Sequence, residues 1–200
     1  MVNSWDQRYA SETYIYGIEP NDWFAEKLNI MKTGRLLLPG EGEGRNAVWA
    51  ASIGWDVTAV DQSPEGQRKA LQLATDKDVT INYQVKDIRC FRNHENSFDA
   101  IGLIYLHMPA EYRRKVHHEL INMLKPGGCL ILEAFSKEQF ELNSGGPKDL
   151  NLLYDPDEIK EDFKSLRVLE FHNIRIHLEE GELHQGIADV IRLFARKPVS

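Results

Sequence analysis

Between Arg35 and Glu133, short apolar, β-branched runs alternate with stretches of helical periodicity. That is the pattern of βαβ units feeding a mostly parallel sheet. Four runs, at residues 36–38, 57–60, 100–104 and 130–132, are flanked by turn residues, as strands buried on both faces are. A weaker alternating run at 80–85 predicts a strand nearer the sheet edge. Ser63-Pro64-Glu65 opens a helix with a cap and a proline at its first position, and residues 109–124 form an amphipathic helix stopped by Lys125-Pro126-Gly127-Gly128.

After Glu133 the alternation stops. The polar stretch 136–154, with Asn143-Ser144-Gly145-Gly146-Pro147 in it, predicts a loop lying over a site. Asp155-Pro156-Asp157-Glu158 supplies an N-cap, a proline at N1 and an acid at N3, so a helix should run to about Phe163. Ile174, Ile176 and Leu178 then alternate into Glu179-Glu180-Gly181-Glu182, and the apolar pattern returns at 187–194. Two antiparallel strands joined by that turn should close the sheet.

At 200 residues the chain is expected to be one α/β domain. It divides into a cap segment at 1–30, a cofactor-binding half at 31–135, and a lid loop, helix and hairpin at 136–200. Lys and Arg total 24 against 31 Asp plus Glu, for a net charge of -7, and no segment gathers the basic residues into a stripe. That argues against a nucleic-acid partner, which needs a basic footprint. The first residues lack a basic region followed by an apolar run, and no apolar stretch approaches the roughly 20 residues that span a bilayer. A soluble cytoplasmic protein, monomer or homodimer, is the expectation. Cys129 lies within an apolar run and Cys90 in a polar connection, and neither is spaced as a disulfide partner or metal ligand.

Candidate chemistry gathers at strand ends. The run Gly40-Glu41-Gly42-Glu43-Gly44-Arg45-Asn46 directly follows the first strand and precedes a helix. Glycines there allow close backbone approach, and the helix N-terminus offers unpaired N–H groups to a polar ligand. Gly42, Gly44 and Ala47 also satisfy a dinucleotide fingerprint, so this run alone leaves the ligand open. The next strand ends on Asp61, where an acid can accept from both ribose hydroxyls or else cap the following helix. Asp87 follows the third strand, and its carboxylate suits an exocyclic adenine amine or the cap of the next turn.

In that ordered set the chain resembles class I S-adenosylmethionine (SAM)-dependent methyltransferases, and more narrowly the tellurite-resistance (TehB-like) group. The resemblance is carried by the glycine run, by residues 57–63 ending in Asp61-Gln62-Ser63, by Asp87, by Leu124-Lys125-Pro126-Gly127-Gly128, and by Trp5-Asp6-x-Arg8-Tyr9 with Tyr16-Gly17. It implies a three-layer Rossmann-like fold with a seven-stranded sheet in order 3-2-1-4-5-7-6, and SAM as cofactor. Gly40, Glu41, Gly42, Gly44, Asn46, Asp61, Gln62, Asp87 and Ile88 would then surround SAM, with Arg8 and Tyr16 folding over its methionine end. The acceptor would be a small molecule such as a thiol or a chalcogen oxyanion. One position departs: the family usually has an acid two residues before the first glycine, and here it is Leu38. Glu41 is the candidate substitute for meeting the methionyl ammonium.

Tyr105 and His107 follow the fourth strand and are the candidate catalytic residues, Tyr105 lining the cofactor pocket and His107 acting as a base or touching the acceptor. The alternative for His107 is to cap the helix near Pro109. His117 and His118 are expected on a solvated helix face, His184 at the surface, and Glu119, Glu179, Glu180 and Glu182 in solvent. Methyl transfer from a sulfonium needs mainly proximity and alignment, so no nucleophile motif is required. An NAD(P)-dependent oxidoreductase and a non-catalytic SAM-binding module are the competing readings.

Overall fold

A computed structural model describes residues 4–199. The chain forms α1 (Ser4–Tyr9), α2 (Asp22–Asn29), β1 (Arg35–Pro39), α3 (Arg45–Ser52), β2 (Asp56–Asp61), α4 (Pro64–Asp76), β3 (Asn82–Val85) and β4 (Phe98–Ile104), followed by α5 (Ala110–Met123), β5 (Leu124–Phe135), α6 (Pro156–Asp162), β6 (Arg167–Glu180) and β7 (His184–Arg196). The seven strands lie in the order β3-β2-β1-β4-β5-β7-β6. Strands β1 to β5 pair in parallel, while β7 runs antiparallel to both β5 and β6.

Period-two alternation in the central strands splits the core into two layers. On one face Leu37, Ile101, Leu103, Leu130 and Leu132 pack with Val116, Leu120, Ile159 and Phe163 of α5, α6 and the residue after α6. On the other, Leu36, Leu38, Ala100 and Ile131 pack with Trp23, Phe24, Leu28, Val48 and Leu73 of α2, α3 and α4. Leu38, in the position where the family has an acid, is therefore a core side chain. A Cβ on Gly102 would come within 2.6 Å of its Cδ2 and 2.9 Å of Phe24 Cε2, so the sheet is closed tightly around it.

The caps read from the sequence form as expected. Ser63 accepts from Gly66 N, and Asp155 accepts from the N–H groups of Asp157 and Glu158 with Pro156 at the first position. The stretch 136–154 is more ordered than a loop: it holds a 3-10 turn at Lys137–Glu141 and returns through a bridge between Ser136 and Tyr154. His117 is also placed differently from the expectation. Its ring is 1% exposed, bonds Asp162 at 2.9 Å and stacks on Phe163, because α6 packs across the face of α5 that the sequence left open. His118 is exposed, as is Cys90, while Cys129 is buried. No described helix is long and apolar enough to cross a membrane.

Candidate functional site

A cavity of about 630 Å³ opens where the parallel strands end at their carboxyl edge. Open α/β sheets bind ligands there, because helix N-termini and strand-end side chains converge on it. Its floor is the turn between β1 and α3. Gly42 has φ +60, and a Cβ there would come within 2.6 Å of the Tyr9 hydroxyl. Asp61, at the end of β2, accepts from Gly42 N at 3.0 Å and Ser63 N at 2.9 Å. Burial pushes its carboxyl up, and those backbone donors oppose the shift.

Gly40, Glu41, Gly42, Asn46, Asp61, Gln62, Asp87, Ile88, Arg8, Tyr16, Tyr105 and His107 all line this cavity. Gly44 does not. It has φ +93 at the start of α3, and a Cβ would meet Ala70 Cβ at 2.5 Å, so its smallness serves the packing of α3 on α4. Asn46 accepts from Asn21 N at 2.9 Å and thereby fixes the start of α2. Asp87 accepts from Arg89 N at 2.8 Å and from Nε and Nη2 of the Arg89 guanidinium. The hydrogen bond from that guanidinium holds its carboxyl below the usual range. It caps the turn at Ile88–Cys90 and still edges the cavity.

Glu41 answers the missing acid at Leu38 only in part. Its Oε1 accepts from Ala47 N at 2.7 Å, so the carboxyl group caps α3, whose first residue has no side-chain cap of its own. Burial raises its pKa to about 8, against the pull of the Ala47 N–H and the Arg45 guanidinium.

The cavity roof comes from residues 5–17. Trp5, Arg8 and Tyr9 of α1 line the cavity with Tyr16, and Arg8 donates to the Tyr16 hydroxyl at 3.0 Å. Two residues given no individual role in the sequence reading hold this strap down. Lys69 donates to the carbonyls of Ser11 and Thr13 and to Glu43, while Glu43 also accepts from Ile15 N at 2.9 Å. Both side chains are 3% exposed.

Beyond the glycine turn the cavity becomes aromatic. Tyr105 has φ +52, a conformation that non-glycine residues adopt at a cost. It lays its ring on Phe135 with centroids 4.7 Å apart and donates to Glu133 at 2.6 Å. Burial and the Glu133 charge push its hydroxyl pKa well up, so it remains a donor. His107 neither caps α5 nor stands free as a base. Its Nδ1 bonds Leu152 O at 2.8 Å and its Nε2 accepts from Phe135 N at 3.3 Å. Burial lowers its pKa to about 4, which keeps the ring neutral and ties the segment before α6 to the ends of β4 and β5.

His184 and Glu180 are the largest departures from expectation. Glu180 ends β6 and His184 begins β7, and the hairpin turn between them folds inward against the cavity. His184 is 4% exposed and lines the cavity, with Nδ1 3.0 Å from Glu180 Oε2. Glu180 also meets Arg45 at 3.0 Å and Asn21 at 3.0 Å. Burial opposes its charge, but the His184 hydrogen bond and the Arg45 guanidinium hold its pKa at about 2. Glu133, fully buried at the end of β5, binds Asn21, Tyr105 and Arg192 beneath the same spot. Its position at a strand's carboxyl end was the signal available in the sequence.

This geometry has relatives. A family of methyltransferase domains matches residues 37–128, the segment that carries the glycine turn, Asp61, Asp87 and the Lys-Pro-Gly-Gly turn. Glycine/sarcosine N-methyltransferase from Aphanothece halophytica is 31% identical over 135 residues, covering 65% of this chain and 48% of that protein. Residues 37–128 thus match a methyltransferase domain, and the chain as a whole resembles the class I SAM-dependent methyltransferases. Its fold is shared with the N-methyltransferase NodS from Bradyrhizobium japonicum, solved with S-adenosyl-l-homocysteine (SAH), at TM-score 0.73, 18% identity and coverage of 98% of this chain and 97% of that one. TehB from Haemophilus influenzae superposes at TM-score 0.74 and 18% identity, covering 96% of this chain and 65% of that one. The chain spans about half the length of the Aphanothece halophytica protein. The sheet order, with β7 inserted antiparallel beside β5, also differs from the 3-2-1-4-5-6 order of dinucleotide-binding folds.

Proposed function

We propose that this methyltransferase domain transfers the methyl group of SAM to a small, uncharged nucleophile held in the aromatic half of the cavity. The observation that carries the reading is one continuous cavity with two unlike halves: a polar, glycine-floored half ending at Asp61 and Asp87, and an aromatic half around Tyr105, Phe135 and His184. Its volume falls within the ~300–1,000 Å³ of small-molecule sites. The residues fit SAM. Asp61 and Gln62 sit at the end of β2 where ribose hydroxyls would be met, Asp87 and Ile88 border the adenine position, and Arg8 and Tyr16 close over the methionine end.

SAM supplies a methyl group already activated on a positively charged sulfur. The chain's own residues then have to bind, orient and exclude water, which is how proximity and alignment lower the barrier. The strap carrying Trp5, Arg8 and Tyr9 and the segment with Gly146, Pro147 and Leu152 cover the cavity from two sides. The cations of the aromatic half are already engaged: Arg45 on Glu180, Arg192 on Glu133, and Lys148 on the carbonyls of Phe140 and Leu142. A neutral acceptor fits that arrangement better than a chalcogen oxyanion, which would call for an uncommitted positive charge.

The test is acceptor-dependent SAH formation from SAM across small phenols, thiols, amines and chalcogen oxyanions. The reading expects turnover with at least one neutral acceptor class. SAH binding with no turnover on any class would favour a non-catalytic SAM-binding module, and NAD binding without SAH binding would favour the oxidoreductase.

A further inference from the structure

Five titratable side chains converge at the aromatic end of the cavity, and four are fully committed. His107 uses both ring nitrogens, Tyr105 donates to Glu133, Glu133 accepts from three groups, and Glu180 accepts from Arg45, Asn21 and His184. His184 is the exception. Because Glu180 is ionised and can only accept, the proton of the His184 ring must reside on Nδ1. The lone pair is then on Nε2, for which no protein partner is found among the described residues. Nor is that atom sealed in the core, since Trp23 Nε1 is the one buried side-chain polar atom left without a partner among the described residues.

We propose that His184 is the general base of the transfer, oriented by Glu180, and that the acceptor it serves is a hydroxyl group on a planar aromatic ring. The proposal rests on the methyltransferase reading above. A cavity-lining imidazole whose Nδ1 is fixed by a carboxylate, with Nε2 left to accept, is an arrangement suited to general-base catalysis. Phe135 and Tyr105, stacked on each other and T-shaped to the His184 ring at 5.3 and 4.6 Å, give a flat ligand ring apolar faces to lie against, and Tyr16 packs tilted on the imidazole at 4.6 Å. A base is needed for a hydroxyl that is protonated in solution, and hardly for a thiolate.

In the step, the acceptor oxygen forms a bond to the methyl carbon as the carbon–sulfur bond of the sulfonium donor breaks. The electron pair of the broken bond stays on sulfur, giving SAH, and the hydroxyl proton passes to His184 Nε2. The resulting imidazolium sits against the Glu180 carboxylate and releases its proton to solvent after the methyl ether leaves.

Around the ring, Glu180 of β6, Glu133 of β5 and Arg45 of α3 are the charged groups, with Arg192 of β7 neutralising Glu133 and Lys148 of the covering segment held on backbone carbonyls. Burial lowers the His184 pKa from its ordinary value, and Glu180 offsets part of that. The imidazole is thus unprotonated at neutral pH, and activity on a high-pKa hydroxyl should fall only on the acid side of an ordinary histidine titration.

The experiment compares wild type and His184→Gln on 4-methylphenol, whose hydroxyl is protonated at neutral pH, and 4-nitrophenol, whose far more acidic hydroxyl is substantially ionised there. SAH titration of each protein establishes that the cofactor site is intact. We expect His184→Gln to keep SAH affinity, to lose about 100-fold or more of its turnover on 4-methylphenol, and to lose less than about tenfold on 4-nitrophenol. An equal loss on both phenols, or wild-type activity on 4-methylphenol that stays flat through the acid limb, overturns the base. Wild type that binds SAH but methylates neither phenol overturns the acceptor class, whereas wild type that binds no SAH overturns the reading beneath it. Should His184→Gln lose SAH binding, the wild-type pH profile on the two phenols decides: an acid limb on 4-methylphenol at lower pH than an ordinary histidine supports the base, and its absence overturns it.

Discussion

A carboxyl group buried beside a nucleotide cavity has to find either a donor or a proton, and Glu41 has both. Ala47 N donates to it at 2.7 Å, and its pKa stands at about 8. The sign of the consequence is set by the unfolded chain, where the same group titrates near its ordinary 4.5. Between about 4.5 and about 8 the folded protein holds a proton that the unfolded chain releases, so this residue's contribution to stability declines as pH rises through that window. Glu41→Gln keeps an acceptor for Ala47 N but cannot titrate. Thermal unfolding followed from pH ~5 to pH ~8 should show a flatter dependence in the variant than in wild type. An ammonium docked beside Glu41 would favour the ionised form. SAH binding at neutral pH should therefore release up to about one proton, read by calorimetry in two buffers of different ionisation enthalpy. Gly44 makes the complementary case, since it lies outside the cavity wall. Gly44→Ala must place a Cβ at φ +93 and 2.5 Å from Ala70 Cβ. A loss of about 1–3 kcal/mol in unfolding free energy is expected, with a far smaller change in SAH affinity.

At the scale of elements, the strap at residues 5–17 depends on one buried ion pair. Lys69 and Glu43 each satisfy backbone groups of the strap in addition to each other. Removing one partner leaves the other charge buried and unpaired, which costs about 3–5 kcal/mol. Lys69→Met should weaken SAH binding by about tenfold or more and expose the strap to limited proteolysis. The double variant Glu43→Gln with Lys69→Met should regain part of the lost stability, and the cycle measures the coupling. These long-range pairs are what the sequence could not display. Glu43 lies in the glycine turn before α3 and Lys69 on α4, 26 residues apart, whereas Ser63, Asp155 and their prolines announce their caps within four residues. The hairpin was legible from its alternation, but its turn was read as solvated acids. Only the pairing of β6 along β7 folds Glu180 and His184 inward against Arg45, and nothing in the local pattern of Glu179-Glu180-Gly181-Glu182 encodes that third partner. Leu38 was visible as a departure, and its meaning emerged only with Gly102 and Phe24 packed around it.

Over the whole molecule, the sheet order and the two packed layers put β1, β2 and β3 side by side with their carboxyl ends on one edge. That juxtaposition joins a glycine turn, Asp61 and Asp87, distant in sequence, into one wall, while β5 and the hairpin add Phe135, Glu133, Glu180 and His184 to the other. The proposed cofactor contacts follow from topology and are legible as an ordered set of strand-end residues. The acceptor half is built from the hairpin and the segment 136–154, where periodicity says least about which side chains point inward. The central claim is that the polar half of this cavity is a SAM site with Asp61 at the ribose. Titration calorimetry with SAH and with NAD, on wild type and on Asp61→Ala shown to be folded by circular dichroism, tests it most directly. The account predicts one SAH bound per chain, no comparable NAD binding, and a loss of about tenfold or more in SAH affinity in the variant, equivalent to ~1.4 kcal/mol or more. Unchanged SAH affinity in folded Asp61→Ala, or NAD binding in place of SAH, would contradict it.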